Sequence, residues 1–179
     1  MTNASVSVAL LVVLSAAAVA ASLHAWRNRE AYGYYRFLAF EAIALSIAWN
    51  AGRWFRTPGS SRQIASWALL VAGTLLAMHG SYLLKVLGRA QKRGIEDTIT
   101  VVEIGAYRYI RHPLYASLLI LTWGVFLKGT DLASAALAIV ATAFLFATAR
   151  SEEQFNINRF GSPYLEYMKR TKMFIPFVL

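Results

Sequence analysis

Apolar residues fall into five runs along the chain, and each run is close to the length of a membrane-spanning helix. The runs cover residues 5–23, 37–51, 64–87, 114–127 and 132–148. A helix needs about 20 apolar residues to cross the hydrocarbon core of a bilayer. The last two runs are slightly short, so we expect flanking residues to extend both. Gly129 and Asp131 separate them, which predicts a tight helical hairpin over residues 114–148.

The pattern therefore predicts an all-α membrane protein with about five transmembrane helices in one integral membrane domain, residues 1–179. Three spans occupy residues 1–87, and residues 88–179 hold two polar segments and the hairpin. Composition agrees, because 58% of residues are hydrophobic and only 15% are charged, against about 25% in soluble domains. The first run could instead be a signal peptide, but residues 1–23 contain no lysine or arginine, and a signal peptide usually has a positive start.

Basic residues are distributed unevenly between the two sides that five spans would create. One side carries Arg53, Arg56, Arg62 and Lys128, and the other side carries the remaining fourteen of the 18 lysines and arginines. Positive charge favours the cytoplasmic side of a membrane. We therefore expect a multi-pass protein with its N-terminus outside and its C-terminus in the cytoplasm. The net charge of +9 would suggest nucleic-acid binding in a soluble protein, but in a membrane protein the location of the positive charges matters first, and we predict no nucleic-acid partner.

Two polar segments are candidates for chemistry. In the first, residues 99–115, Pro113 suits the first turn of a helix and places His112 at a helix N-terminus, where an anion can bind. Gly105 permits a tight turn or a close approach. Aromatic and basic residues also anchor membrane interfaces, and that alternative explains part of the segment. The clustered side chains are Tyr107, Arg108, Tyr109, Arg111, His112 and Tyr115.

The second polar segment, residues 150–167, begins with the acidic pair Glu152 and Glu153 at the end of the fifth run. Acidic groups at a helix C-terminus oppose the helix dipole, so we expect at least one to have a partner. Gly161 and Pro163 break the helix. A short amphipathic helix should follow, with Tyr164, Tyr167 and Met168 on one face. The alternative is an interfacial helix beside a solvated acidic pair.

Other observations narrow the chemistry. The chain has no cysteine, which excludes disulfides, thiolate metal sites and a cysteine nucleophile. Glycine-rich nucleotide motifs and the His-Glu-x-x-His zinc motif are absent from the sequence, and we predict no metal site. Glu41 and His79 lie within apolar runs, and ionisable groups there are functional candidates by default.

The ordered motifs resemble the isoprenylcysteine carboxyl methyltransferase family, and phospholipid methyltransferases share a similar C-terminal pattern. The resemblance covers about residues 82–179. It rests on residues 105–115 (Gly-Ala-Tyr-Arg-Tyr-Ile-Arg-His-Pro-Leu-Tyr), the hairpin and then Glu152-Glu153. The pattern continues with Phe160-Gly161-x-x-Tyr164-x-x-Tyr167 and ends with Phe-Ile-Pro-Phe at residues 174–177.

The resemblance implies a helical membrane bundle with a cytosol-facing pocket for S-adenosyl-L-methionine, formed by residues 88–113 and the C-terminal tail. Main-chain groups of four consecutive residues would line the cofactor, Tyr107 would contact it, and Glu152 would bind its polar groups. A second run of four residues would hold its methionine part. These runs are Ile99, Thr100, Val101 and Val102, and then His112, Pro113, Leu114 and Tyr115.

The implied reaction is methyl transfer to a membrane-embedded lipid-like or prenylated acceptor in the bilayer. A carboxylate acceptor needs no base, and Arg111 could hold it. An amine must lose a proton, and Glu153 or Tyr115 could assist. Prenylcysteine-specific members carry an arginine one helical turn before the first glutamate, and this chain has Thr148 there, which argues against a prenylcysteine carboxylate.

Two rival functions remain open at this stage. Membrane sterol reductases are similar at the C-terminal helices and use NADPH, whose phosphates could bind basic residues between positions 89 and 111. The short chain and the acidic pair oppose that interpretation. The second rival is a non-catalytic membrane binding protein or a haem protein that uses His79 and another histidine. The basic residues available for the NADPH phosphates are Arg89, Lys92, Arg93, Arg108 and Arg111.

Overall fold

A computed structural model describes residues 3–27, 30–88 and 100–178, and these residues form six α-helices and no β-strand. Each of the five predicted spans lies on its own helix, apart from one residue at the end of the second, third and fourth runs, which confirms the all-α fold. Three helices, α1, α3 and α5, are long and apolar enough to cross a membrane. The helices are α1 (Asn3–Arg27), α2 (Ala31–Asn50), α3 (Ser61–Val86), α4 (Pro113–Phe126), α5 (Leu132–Phe160) and α6 (Ser162–Arg170).

The helical hairpin differs from the prediction in the length of its two arms. We expected both arms to be extended, but α4 has only 14 residues, because Pro113 occupies its first turn and the chain turns after Phe126. The second arm, α5, continues well past residue 148 to Phe160. It ends where Gly161 takes a positive φ of 66°, a conformation that glycine adopts without steric cost.

Asp131 fixes the start of α5 at the hairpin turn. Its side chain caps the helix by accepting a hydrogen bond of 2.8 Å from the Ser134 N–H. The Asp131 carboxylate also accepts bonds from Arg53 and from the Trp49 indole N–H. The turn that the sequence predicted is therefore tied to the end of α2 and to the loop that follows it.

Neighbouring helices run antiparallel and approach closely through small residues. The end of α2 meets the start of α5, where Asn50 Nδ2 donates to Ser134 Oγ at 3.0 Å. The start of α3 meets the end of α4, where Ser66 Oγ donates to the Gly124 carbonyl at 2.7 Å. A Cβ placed on Gly73 would lie 2.8 Å from a Leu121 side-chain carbon, so glycine lets α3 and α4 pack tightly.

The C-terminal segment closes one end of the bundle. The Lys172 N–H donates to the Tyr109 carbonyl at 3.1 Å, and the Arg111 N–H donates to the Lys172 carbonyl at 2.7 Å. Phe174 is buried in the main hydrophobic core and packs edge-on against Phe146, with ring centroids 4.7 Å apart. These contacts hold residues 109–112 in place and position the beginning of α4.

Candidate cofactor cleft

A cleft opens at the end of the bundle where α3 and α5 finish, α4 begins and α6 folds back. It contains about 640 Å³ of empty space, part of which is open to solvent. Its walls bring together the two polar segments that the sequence singled out. The lining residues are Leu84, Thr100, Val101, Val102, Tyr107, Arg111, His112, Leu114, Tyr115, Glu152, Asn156, Phe160, Tyr164 and Tyr167.

The N-terminus of α4 points toward this cleft. Pro113 stands in the first turn of α4. His112 precedes the helix, and its side chain does not cap it. Leu114 and Tyr115 of the first turn line the cleft. A helix N-terminus without a side-chain cap, together with the helix dipole, is favourable for an anionic group.

The structure separates the two adjacent glutamates into different environments. Glu152 lines the cleft, and its carboxylate accepts a hydrogen bond from the Tyr115 hydroxyl. Glu153 is buried behind the wall and accepts a hydrogen bond of 2.6 Å from Arg111 Nε. His112 Nε2 lies 3.4 Å from the same Glu153 oxygen. The cleft therefore has one carboxylate facing the open space and one that serves a buried ion pair.

Arg111 lines the cleft but has most of its hydrogen-bonding groups engaged. In addition to Glu153, it donates from Nη1 to the main-chain carbonyl of Thr171 and, at 3.4 Å, to that of Met168. Its side chain is 10% exposed and that of Glu153 is 8% exposed. The pair joins the start of α4 to α5 and to the C-terminal segment, so it stabilises the cleft wall.

Two tyrosines of α6 form the opposite wall. The Tyr167 hydroxyl donates to the Tyr107 carbonyl at 2.7 Å, and the Tyr164 hydroxyl accepts a hydrogen bond of 3.5 Å from Asn156 Nδ2. Burial raises the pKa of both tyrosines well above the usual range. Both phenols are therefore neutral, and their rings present polarisable faces close to the cleft.

A glycine permits a close backbone approach next to Tyr107, which lines the cleft. Gly105 has a φ of +59°, and a Cβ at this position would lie 2.7 Å from both His79 Nε2 and a Leu83 side-chain carbon. The 3-10 turn that follows, Gly105–Arg108, places Tyr107 against Leu83 and Val102. The close approach that the sequence predicted for Gly105 is therefore present.

Most of the residues predicted to bind a cofactor meet in this one cleft. Thr100, Val101 and Val102 line it, whereas Ile99 lies outside the described residues. Pro113 is buried beside it and Glu153 lies behind it. The basic residues of the rival phosphate site that precede residue 99 are also outside the described part of the chain.

Sequence reasoning did not assign five of the lining residues to the site, and two of them, Tyr164 and Tyr167, were predicted only as one face of a short amphipathic helix. Asn156 and Phe160 continue the face of α5 that carries Glu152, at intervals of four residues. Residues four apart lie on one face of a helix, so their spacing from Glu152 is the signal that could have identified both. Leu84 has no such signal, because it is one of many apolar residues in α3.

The intramembrane candidates lie away from the cleft lining. Glu41 on α2 accepts a hydrogen bond of 2.8 Å from Ser15 Oγ on α1. His79 lies beneath the Gly105 turn and is exposed. Among the described residues, no group of three metal-ligating side chains lies close enough to hold a metal ion.

The helical bundle is that of an integral membrane protein, and comparison with known proteins identifies its class as methyltransferase. Residues 61–162 match the family model of phospholipid methyltransferases, so the chain belongs to that family. The chain is also similar to methanethiol S-methyltransferase 1 of Bradyrhizobium diazoefficiens, with 33% identity over 72 residues. That alignment covers 39% of this chain and 24% of the relative, so the chain spans only a small part of the relative's length.

Proposed function

We propose that the protein transfers a methyl group from S-adenosylmethionine to a lipophilic acceptor that reaches the cleft from the bilayer. The observation that carries this proposal is the convergence of both polar segments on one cleft within a chain of a methyltransferase family. S-adenosylmethionine, when bound, supplies an electrophilic methyl group on a sulfonium. The cytoplasm provides this cofactor, which agrees with the predicted cytoplasmic position of the C-terminal side.

The side chains of the cleft fit the polar groups of S-adenosylmethionine. The open N-terminus of α4 beside His112 suits the carboxylate of its methionine part. Glu152 suits the ammonium or the ribose diol. The neutral rings of Tyr164 and Tyr167 suit a positively charged sulfonium through cation–π attraction. Anionic and cationic groups of the cofactor thus find complementary groups on opposite walls.

The cleft favours an acceptor that must lose a proton over a carboxylate acceptor. Arg111 is the single arginine or lysine among the described lining residues, and a carboxylate would compete with Glu153 for it. Thr148, which replaces the arginine of prenylcysteine-specific relatives, is fully buried and bonds to a carbonyl of its own helix. Arg150, two residues further along α5, is exposed and is not among the lining residues of the cleft.

A thiol or an amine with an apolar body is the acceptor that these features support. Tyr115 lines the cleft and its hydroxyl is hydrogen-bonded to Glu152, so the Tyr115 oxygen is placed to assist removal of the proton that the acceptor loses. The relative from Bradyrhizobium diazoefficiens carries the name of a thiol S-methyltransferase, which supports a thiol. Arg111 and Glu153 then act as positioning residues that hold the start of α4.

A methyl-transfer assay with three acceptors of matched chain length tests the choice of acceptor. The purified protein, in detergent, receives S-adenosylmethionine with a labelled methyl group and an alkyl thiol, an alkylamine or an alkyl carboxylate. We expect label in the thiol or the amine product and none in the ester. Label in the ester alone would refute the acceptor class while keeping the methyltransferase.

A further inference from the structure

A basic pocket lies at the end of the bundle opposite the cofactor cleft. It contains about 560 Å³ of empty space and is formed by the loop between α2 and α3 and by the hairpin turn. Four cations and one carboxylate line it. The lining residues are Arg53, Arg56, Arg62, Lys128, Gly129, Thr130 and Asp131.

The single carboxylate of the pocket is already engaged. Asp131 accepts hydrogen bonds from the Ser134 N–H, from Arg53 and from Trp49. It therefore neutralises Arg53 and leaves the other three cations of the lining without an acidic partner in the pocket. Arg62 reaches across the pocket, where its Nη1 donates to Thr130 Oγ1 at 3.1 Å.

Lys128 is an unusual member of this cluster because it is only 1% exposed. Its Nζ donates to Gln63 Oε1 at 2.9 Å and lies 3.7 Å from the centre of the Trp67 ring and 5.4 Å from that of Trp54. Among the described residues, no ion pair joins it to a carboxylate. Burial of an ammonium group without an anion is costly, so an anion in the pocket would offset that cost.

An apolar groove adjoins the basic pocket at the two tryptophans. Trp54 and Trp67, which contact the Lys128 ammonium, also line a groove between α2, α3 and α4 that contains about 1050 Å³ of empty space. Its other lining residues are apolar apart from one threonine. Val71 and Leu75 of α3 are exposed, so the groove is open on that side. A charged pocket and an apolar groove thus share one aromatic boundary.

We propose that this end of the protein binds an anionic phospholipid, with its phosphate in the basic pocket and an acyl chain in the groove. The charge of the pocket complements a phosphodiester, and the adjoining groove selects a lipid over a free phosphate. Tryptophan at the boundary fits the headgroup level of a bilayer. The site is separate from the cofactor cleft and does not depend on the proposed methyl transfer.

Native mass spectrometry of the detergent-purified full chain tests this proposal. The protein is titrated with phosphatidylglycerol, with phosphatidylcholine of the same acyl chains, and with glycerophosphoglycerol, the anionic headgroup without chains. We expect saturable retention of one phosphatidylglycerol at about tenfold lower concentration than phosphatidylcholine, since each basic residue near a bilayer surface strengthens binding of anionic lipid several-fold.

A double variant, Arg56→Gln with Arg62→Gln, removes two exposed cations of the pocket. It should weaken phosphatidylglycerol binding by about tenfold or more. The matched control, Lys169→Gln with Lys172→Gln, removes the same charge at the other end of the bundle and should bind like the wild type. Thermal unfolding of both variants verifies that the fold is intact.

Three outcomes would overturn the proposal. Equal retention of the two lipids would show that the groove takes up any lipid. Equal loss in the pocket variant and in the control would show a general charge effect. Displacement of phosphatidylglycerol by glycerophosphoglycerol at similar concentrations would show a site for free anions that does not use the groove.

Discussion

Substitution of Glu153 by glutamine tests whether the buried Arg111–Glu153 ion pair stabilises the wall of the candidate cleft. The Glu153→Gln change keeps the size of the side chain but removes the negative charge that faces Arg111 at 2.6 Å. Both side chains of the pair are about nine-tenths buried, so solvent cannot replace the lost charge. Removing one partner of a buried ion pair costs about 3–5 kcal/mol.

Two features of the structure place the expected loss at the lower end of that range. Arg111 keeps its hydrogen bonds to the Thr171 and Met168 carbonyls, and the glutamine amide oxygen can still accept from it. We therefore expect a loss of roughly 3 kcal/mol. For a chain of this size that corresponds to a fall of about 6–12 °C in the unfolding temperature.

Thermal unfolding in detergent measures this loss, with Glu152→Gln as the matched control. Glu152 lines the cleft and is only partly buried, so its substitution should change the free energy of unfolding by less than about 1 kcal/mol. A double variant, Arg111→Met with Glu153→Met, should be more stable than Glu153→Gln alone, because no unpaired charge remains. If Glu153→Gln unfolded at the wild-type temperature, the proposed structural role would be refuted.

Three further substitutions test other parts of the structure by thermal unfolding. Gly105→Ala should cost about 1–3 kcal/mol, because the positive φ and the close contacts strain a side chain, whereas Gly59→Ala, with open space around it, should cost little. Tyr167→Phe loses a buried hydrogen bond of 2.7 Å and should cost about 1–2 kcal/mol. The Ser134 N–H, followed by Arg53, holds the pKa of Asp131 well below its usual 3.8. The stabilisation by its charge is therefore complete above that value and is lost as the pH falls through the lower folded-state pKa. Asp131→Asn should make unfolding between about pH 5 and about pH 2 less dependent on pH, and an unchanged profile would contradict this.

The sequence predicted the helices well because apolar runs and helix breakers act locally. Pro113 marks the start of α4, and Gly161 marks the end of α5. Asp131, a turn residue in front of an apolar run, caps the start of α5. The apolar signal of α5 ends at residue 148, so only the helix breakers Gly161 and Pro163 indicated that the helix continues to Phe160. The helical conformation of residues 149–160 depends on packing at the cleft, which includes the buried Glu153.

The candidate site was partly predictable for a similar reason. Residues of one motif, such as His112 and Tyr115, are near each other in the sequence and therefore lie close together at the start of a helix. The order of the two motifs indicated that the motifs meet. The different environments of Glu152 and Glu153 could not be predicted from sequence, because successive residues on a helix point about 100° apart. Which glutamate faces the cleft depends on the rotation of α5 against α4. Only the structure pairs Arg111 with Glu153.

Isothermal titration of the detergent-purified protein with S-adenosylhomocysteine tests the central proposal most directly, with NADPH as the comparison ligand. We predict saturable binding of S-adenosylhomocysteine that Glu152→Ala weakens by at least about tenfold, since hydrogen bonds to charged groups contribute about 1.5–3 kcal/mol. NADPH should not bind. Binding of NADPH alone, or S-adenosylhomocysteine binding that Glu152→Ala and His112→Ala both leave unchanged, would contradict the assignment of the cleft.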